Sequence, residues 1–465
     1  MSTCVLGVDS STQSCKALLV DADTGEVLER RRAAHPPGTE VDPAAWSQAL
    51  HQVTADLLPR ASAVAVAGQQ HGMILLDEAG RVIRPALLWN DVRSAPQARR
   101  LTEHLGGPQE AARRIGSVPV ASYTATKVRW VRENEPENAR RIAAVALPHD
   151  WLTRELSNGD QLWTDHGEAS GTAWYDPAAR RWLPEIASWA AGHDIALPRL
   201  AAPHQAVGTT SSGAVLAPGT GDNAAAALGL GMVPGDVCVS LGTSAVVSVV
   251  SETPAQDGTG AVSGFADATG RYLPLATTLN GAPVLDRVAR LLGTDHDGLA
   301  ELALAAPSGA DGAVFIPYFA GERTPDLPEA RAQLLQMGAG FGRKTLARAA
   351  VEGLACSVLE AMEKVLDQTG ARAQRVLLVG GGAGSGALRT ILAGILGRDL
   401  EVPDPEEFVA LGAARQAAWV LSGATQPPRW SAARTRIVRA DPTPGVYERY
   451  LEARNRIYPE GSPHT

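Results

Sequence analysis

The chain has 465 residues, beyond the size at which one hydrophobic core keeps growing, so two domains are expected. Hydrophobic residues make up 45% and charged residues 20%, a balance that excludes a disordered chain. The formal net charge of -8 argues against a nucleic-acid surface, and no apolar run approaches the roughly 18 residues of a membrane span.

The N-terminal CVLGVDSS reads as a buried strand entering a turn. It has neither the basic lead nor the cleavage site of a secretory signal, so a cytoplasmic location is expected. Cys4, Cys15, Cys238 and Cys356 are scattered, with no CxxC pair for zinc or redox chemistry. After the apolar segment Val5 to Val8 comes a Ser/Thr-rich turn, then a strand in KALLVD and another beyond the Thr24-Gly25 turn. A helix is expected from Pro43 to Leu58, with Asp42 as its cap and Pro43 at its first position. AVAVAG (Ala63 to Gly68) reads as a buried strand, and MILLD resumes after a polar interruption. Helices then dominate from about 94 to 160, among them KVRWVREN.

A second strand-rich start, DVCVSLGTSAVVSVVSE (Asp236 to Glu252), repeats the plan of VLGVDSSTQSCKALLVD: apolar strand, short Ser/Thr/Gly turn, apolar strand. This repeat suggests two related domains. The Pro-Gly break in MVPGD sets their boundary, giving 1–232 and 233–465, with the residues after about 430 as a C-terminal tail. VLLV (Val376 to Val379) is a further buried strand, followed by a glycine cluster and a helix beginning near Ser385.

Three turns offer backbone N–H groups to phosphate oxygens. The first follows Asp9 and holds Ser10, Ser11, Thr12, Gln13 and Ser14, with Lys16 just beyond; it is not a GxxxxGK[ST] loop. The second is Leu241-Gly242-Thr243-Ser244, and the third is the glycine cluster after Val379. Each alone also reads as an ordinary polar turn; three in one chain point together to phosphate. Asp222 and Asn223 open an alanine-rich helix in GTGDNAAAALGLG. A carboxylate there reads first as a cap, held ionised by the helix dipole and therefore a weak base. Phosphoryl transfer tolerates a weak base, because it needs positioning more than early proton removal. Gln69, Gln70 and His71 follow one buried strand, and Trp89, Asn90 and Asp91 follow the apolar run PALL. Amides, carboxylates, an imidazole and an aromatic face are the groups that bind a polyol or sugar, although His71 alone also reads as a satisfied loop histidine. Eight of the ten tryptophans lie before residue 190, which suits carbohydrate handling by the N-terminal half.

In order and spacing, AGQQHG, LLWNDVR, GDNAAAALGLGMV, SLGTS, FIPYFAGERTP and LLVGGGAGS resemble the FGGY carbohydrate kinase family, most closely the branch that acts on xylulose. The resemblance runs from GVDSSTQSCKALLVD through ALGAARQAA and fades after about Trp419. It implies an α/β, two-domain actin-like ATPase (ribonuclease H-like) fold, with mixed sheets flanked by helices and a central cleft. It implies an ATP:sugar phosphotransferase that converts D-xylulose to D-xylulose 5-phosphate in pentose catabolism, with ATP and Mg2+. D-ribulokinase and gluconokinase are the neighbouring alternatives. A sugar-sensing regulator on the same fold would carry a DNA-binding module or a Cys-rich metal site, and a chaperone-like ATPase would not need the sugar motifs.

By the same resemblance Asp222 is the catalytic base, and Asp9 acts through magnesium as its ligand. Gln70, His71, Trp89, Asn90, Asp91 and Asn223 contact the sugar. Ser11, Thr12, Lys16, Gly242 and Thr243 hold phosphates, and Gly380, Gly381 and Gly382 pack against the adenosine. Gln70 stands where relatives often carry Met, and SSTQS lacks the glycine of many related hairpins. The expected partners are a small sugar and ATP, with no nucleic acid and no membrane; a homodimer stays open.

Overall fold

The computed structural model describes residues 3–430 and 434–459. They pack into two compact units, each assembled from separate stretches of chain. The first takes the residues up to Val233, Val250–Pro274 and those from Glu406 to 430; the second takes Pro234–Val249, Leu275–Pro405 and the residues from 434 onward. Among the described residues no helix is long and apolar enough to cross a membrane.

In the first unit β1 (Cys4–Ser10), β2 (Ser14–Asp21) and β3 (Val27–Ala34) form an antiparallel meander. β4 (Ala63–Gly68) lies parallel to β1 on its other side, with β5 (Val215–Leu216) and β6 (Thr220–Gly221) parallel to β4. Period-two alternation sends Leu6, Val8, Ala17 and Leu19 to one face, against Trp46, Leu50 and Val53 of the helix Pro43–Thr54. Val5, Leu18 and Val20 go to the other face, beside Ala225 of the helix Asp222–Gly229 and Ala410, Ala413 and Ala414 of the helix Phe408–Ser422. That second face is built for close approach. A Cβ on Gly7 would sit 2.0 Å from the Ala410 carbonyl oxygen, and one on Gly412 would sit 1.8 Å from that of Ala225. This packing is what returns residues 408–422 to the first unit.

The first helix starts as expected, with the Asp42 side chain accepting from the Ala44 N–H. It ends at Thr54, short of the expected Leu58. Thr54 turns its hydroxyl back onto the Leu50 carbonyl, and Pro59 cannot sit inside an α-helix, so Leu58–Arg60 form a 3-10 turn.

The second unit repeats the plan. β7 (Val237–Leu241), β8 (Ala245–Val249) and β9 (Leu275–Thr278) are antiparallel neighbours, and β10 (Val376–Val379) and β11 (Leu400–Pro403) continue parallel beyond β7. Three antiparallel strands followed by parallel ones, twice, is the actin-like ATPase (ribonuclease H-like) fold in both units. The residues after 430 are more than the expected tail. β12 (Thr435–Val438) adds an antiparallel edge to β11, and the helix Val446–Ile457 buries Val446, Tyr450 and Ala453, a stripe at helical spacing that a polar flank conceals in the sequence. Residues 431–433 and 460–465 of that stretch lie outside the described residues.

Candidate active site

In the first unit the candidate residues gather where β1 and β4 end. Asp9 and Lys16 face each other in the β1–β2 register, with the ammonium 3.4 Å from Asp9 Oδ2 and 2.6 Å from Glu407 Oε2. The Ser11 hydroxyl donates to Asp9 Oδ1. Burial raises the Asp9 carboxyl above its usual range, partly offset by Ser11 and Lys16. The turn is braced from outside: His35 donates its N–H to the Gln13 carbonyl, its Nδ1 lies 2.8 Å from the Ser11 carbonyl, and Trp89 Nε1 donates to Thr12 Oγ1 at 2.9 Å. Trp89 and Asn90 are exposed, whereas Asp91 is buried. Asp91 spends its carboxylate inside the loop, accepting from Arg93 and from Thr39.

At the end of β4, Gln69 donates its backbone N–H to the Ser10 carbonyl, joining the two strand ends. Its buried amide has no hydrogen-bond partner on either side-chain atom. Gln70 Oε1 accepts from Asn223 Nδ2 at 3.1 Å. His71 stands in the left-handed backbone region at φ 68°, uncommon for a residue of its size. Its Nδ1 lies 2.7 Å from the Gly171 carbonyl, and its ring packs beside Tyr123 and Phe265, with centroids 5.1 and 5.4 Å away.

Asp222 is the first residue of its helix, and Gly221 occupies the cap position without a side chain to fill it. The Asp222 Oδ1 accepts from the Asn223 N–H at 2.8 Å. The expectation of a weak, dipole-stabilised base is corrected here. Desolvation, and then the negative charge of Asp9, push the Asp222 carboxyl up to about 7. A carboxylate of that pKa is a competent proton acceptor at neutral pH.

The second unit brings together the other two turns. Gly242 donates its N–H to the Ser244 carbonyl, and Ala282 donates to the Gly242 carbonyl, fixing the Gly242-Thr243-Ser244 turn. Gly380, at φ 86°, lies so close to Leu241 that a Cβ would sit 2.6 Å from its carbonyl oxygen; a Cβ on Gly382 would sit 2.5 Å from the Leu241 side chain. Gly380, Gly381 and Gly382 therefore adjoin the Gly242-Thr243-Ser244 turn, with Gly380 and Gly381 exposed. Ser385 caps the following helix by accepting from the Leu388 N–H.

Sequence reasoning missed the residues behind His71 and Asp222. Lys127 and Thr124 both donate to the His71 carbonyl, at 2.9 and 3.2 Å. The Glu168 carboxyl lies against the His71 peptide N–H, and a Cβ on Gly221 would meet its Oε2 at 2.6 Å. Asp165 accepts from Thr220 at 2.6 Å and from the Glu168 N–H at 2.8 Å. One signal was available: the chain has only four lysines, Lys16, Lys127, Lys344 and Lys364, among 42 basic residues. Two of those four belong to this region.

Comparison with known proteins places this geometry. The N-terminal domain model of the FGGY family of carbohydrate kinases matches residues 4–229, and the C-terminal domain model matches residues 237–421. The xylulose kinase of Streptomyces coelicolor is 44% identical over 97% of this chain and 95% of its own length. That of Streptomyces rubiginosus is 44% identical over 94% of this chain and 92% of its own. The crystal structure of xylulose kinase from Bifidobacterium adolescentis superposes with a TM-score of 0.93 at 47% identity, covering 97% of this chain and 99% of that one. The chain belongs to the FGGY family of carbohydrate kinases.

Proposed function

We propose that this enzyme transfers the γ-phosphoryl group of ATP to D-xylulose, giving D-xylulose 5-phosphate. The observation that carries the reading is Asp222. Its carboxyl is held near neutrality beside Asp9 and next to the Gln70–Asn223 amide pair. The similarity to xylulose kinases over nearly the whole chain supplies the sugar.

In this reading the first unit holds the sugar and the second the adenosine. Gln70, His71 and Asn223 present amide and imidazole groups to the sugar hydroxyls, and the exposed Trp89 and Asn90 edge the same region. Asp91 contributes by holding the shape of that loop. Asp222 accepts the proton of the attacking sugar hydroxyl as that hydroxyl's oxygen bonds to the γ-phosphorus and the bond to the departing ADP oxygen breaks. Within the first unit Ser11, Thr12 and Lys16, and within the second Gly242 and Thr243, are the groups that offer donors to phosphate oxygens. Exposed Gly380 and Gly381 leave room for the adenosine to approach the backbone, and Gly382 lets the Leu241 side chain pack behind them.

Magnesium fits this residue set as a companion of ATP rather than as a resident metal. Among the described residues no group of three or more His, Cys, Asp or Glu side chains is arranged to hold an ion. A magnesium ion carried on phosphates needs only one or two protein carboxylates, and Asp9 supplies one, beside the buried and unpartnered hydroxyl of Ser10. When bound, the ion would neutralise charge on the transferring phosphoryl group. A cytoplasmic location goes with this reading.

The test is a coupled ADP-release assay across D-xylulose, D-ribulose, L-ribulose, glycerol and gluconate. D-xylulose is expected to give the highest kcat/KM. Glycerol, gluconate or a ribulose exceeding it by about tenfold, some 1.4 kcal/mol in the barrier, would overturn the assignment.

A further inference from the structure

Lys127 is completely buried in the helix Thr124–Asn134, and its ammonium donates to the carbonyl of His71. A neutral donor would satisfy a carbonyl at far smaller desolvation cost, and Thr124 already supplies one to the same oxygen. A charged grip on one peptide therefore needs a reason. His71 provides it: the residue stands at φ 68°, a conformation that its surroundings must impose.

Those surroundings hold it at its carbonyl and its ring, with a carboxyl group beside its N–H. Lys127 and Thr124 take its carbonyl, the Glu168 carboxyl lies at its N–H, and Gly171 takes Nδ1 of its ring. A carbonyl can only accept, so Nδ1 carries the proton in the neutral imidazole and Nε2 is left as an acceptor. The charged groups that act on Lys127 are Asp91 and Glu168, which favour its ammonium form. Burial acts against them and brings its pKa down to about 7.

We propose that Lys127 is a positioning residue for the sugar: gripping the His71 peptide, it fixes the one backbone and ring orientation in which His71 Nε2 accepts from a substrate hydroxyl. This rests on the reading of His71 as a sugar contact. It adds a residue that acts through His71 without touching substrate.

The experiment compares wild type, Lys127→Met, His71→Ala and the double variant, using whichever sugar gives the highest kcat/KM with the wild-type enzyme. Should that sugar not be D-xylulose, the substrate assignment falls while the Lys127 test proceeds unchanged. Lys127→Met is expected to raise the sugar KM about tenfold, leaving the ATP KM within twofold. In the His71→Ala background the same change should move the sugar KM less than twofold, because the grip then has no ring to aim. An unchanged sugar KM in folded Lys127→Met protein overturns the proposal. So do equal losses in both backgrounds, or sugar and ATP KM rising together. If Lys127→Met does not fold, Thr124→Val decides, since it removes the milder donor to the same carbonyl. A rise of about threefold in sugar KM alone supports the grip, and no rise overturns it.

Discussion

Asp222→Asn separates a base from a helix-terminal structural residue through the sign of two effects. Asn keeps an oxygen able to accept the Asn223 N–H, so the local geometry survives the exchange. As the base, Asp222 supports general catalysis worth at least about 10²-fold, and kcat should fall by that much. Stability should move the other way. The folded-state pKa of about 7 lies above the ordinary 3.8, so the native state prefers the protonated acid. The stability tied to that preference is present below about pH 4 and is lost as pH rises through 7. A shift of about three units corresponds to no more than about 4 kcal/mol. Asp222 is only half-buried, and solvent screening reduces this to roughly 1–2 kcal/mol. Asn carries no charge to desolvate, so at pH 8 the variant should be the more stable protein, and the advantage should shrink by more than half at about pH 5 and vanish only near pH 4. A helix-terminal role predicts little change in turnover and, since Asn caps about as well as Asp, a loss of at most a few tenths of a kcal/mol at neutral pH from the charge removed at the helix N-terminus. The assays are kcat at saturating substrates and melting temperature at pH 5 and 8. Turnover within a few-fold of wild type, or a variant that melts lower at pH 8, refutes the reasoning.

The same carboxyl should appear in the pH profile: kcat/KM is expected to fall tenfold per pH unit below about 7 and to level off above it, and a flat profile between pH 5.5 and 8 would remove Asp222 from the role. Gly380→Ala places a Cβ against the Leu241 carbonyl in a left-handed backbone, so the ATP KM should rise by about tenfold with the sugar KM unchanged. Steady-state titration of each substrate checks this, and an unaltered ATP KM would detach the glycine cluster from nucleotide binding.

The sheets were legible because their signal is local. Alternation in VLGVDS and AVAVAG encodes two buried faces, and the strand–turn–strand plan recurs where the second unit begins. The terminal helix was not legible, since its apolar stripe, Val446, Tyr450 and Ala453, is sparse and embedded in charge. Asp222 stands out in the sequence, but the environment that sets its pKa does not. Helix-dipole reasoning reads only the residues next in sequence, whereas desolvation and Asp9, which lies on β1, decide its pKa. The hold on His71 was out of reach for the same reason. Its partners Thr124, Lys127, Gly171 and Glu168 lie more than 50 residues along the chain, and no local pattern marks them as neighbours.

What these distant residues share is electrostatic conflict. Asp9, Asp150, Asp165, Glu168 and Asp222 are all raised by burial, and Lys127 is lowered by it, within one unit of the protein. An apolar core of the same volume would be more stable, because desolvating a charge commonly costs more than pairing it returns. The conflict is not spread evenly. Arg30, Arg31 and Arg113 pair with carboxylates on the solvated surface, while these five carboxyls and Lys127 lie around β1, β4 and the start of the Asp222 helix. Local rules and global fold disagree there because a base near neutral pH and a histidine in a left-handed backbone are both unfavourable states. Each exists only if its surroundings impose it. The burial that raises Asp222 toward the pKa a base would need is therefore the same burial that makes an ionised carboxylate costly there.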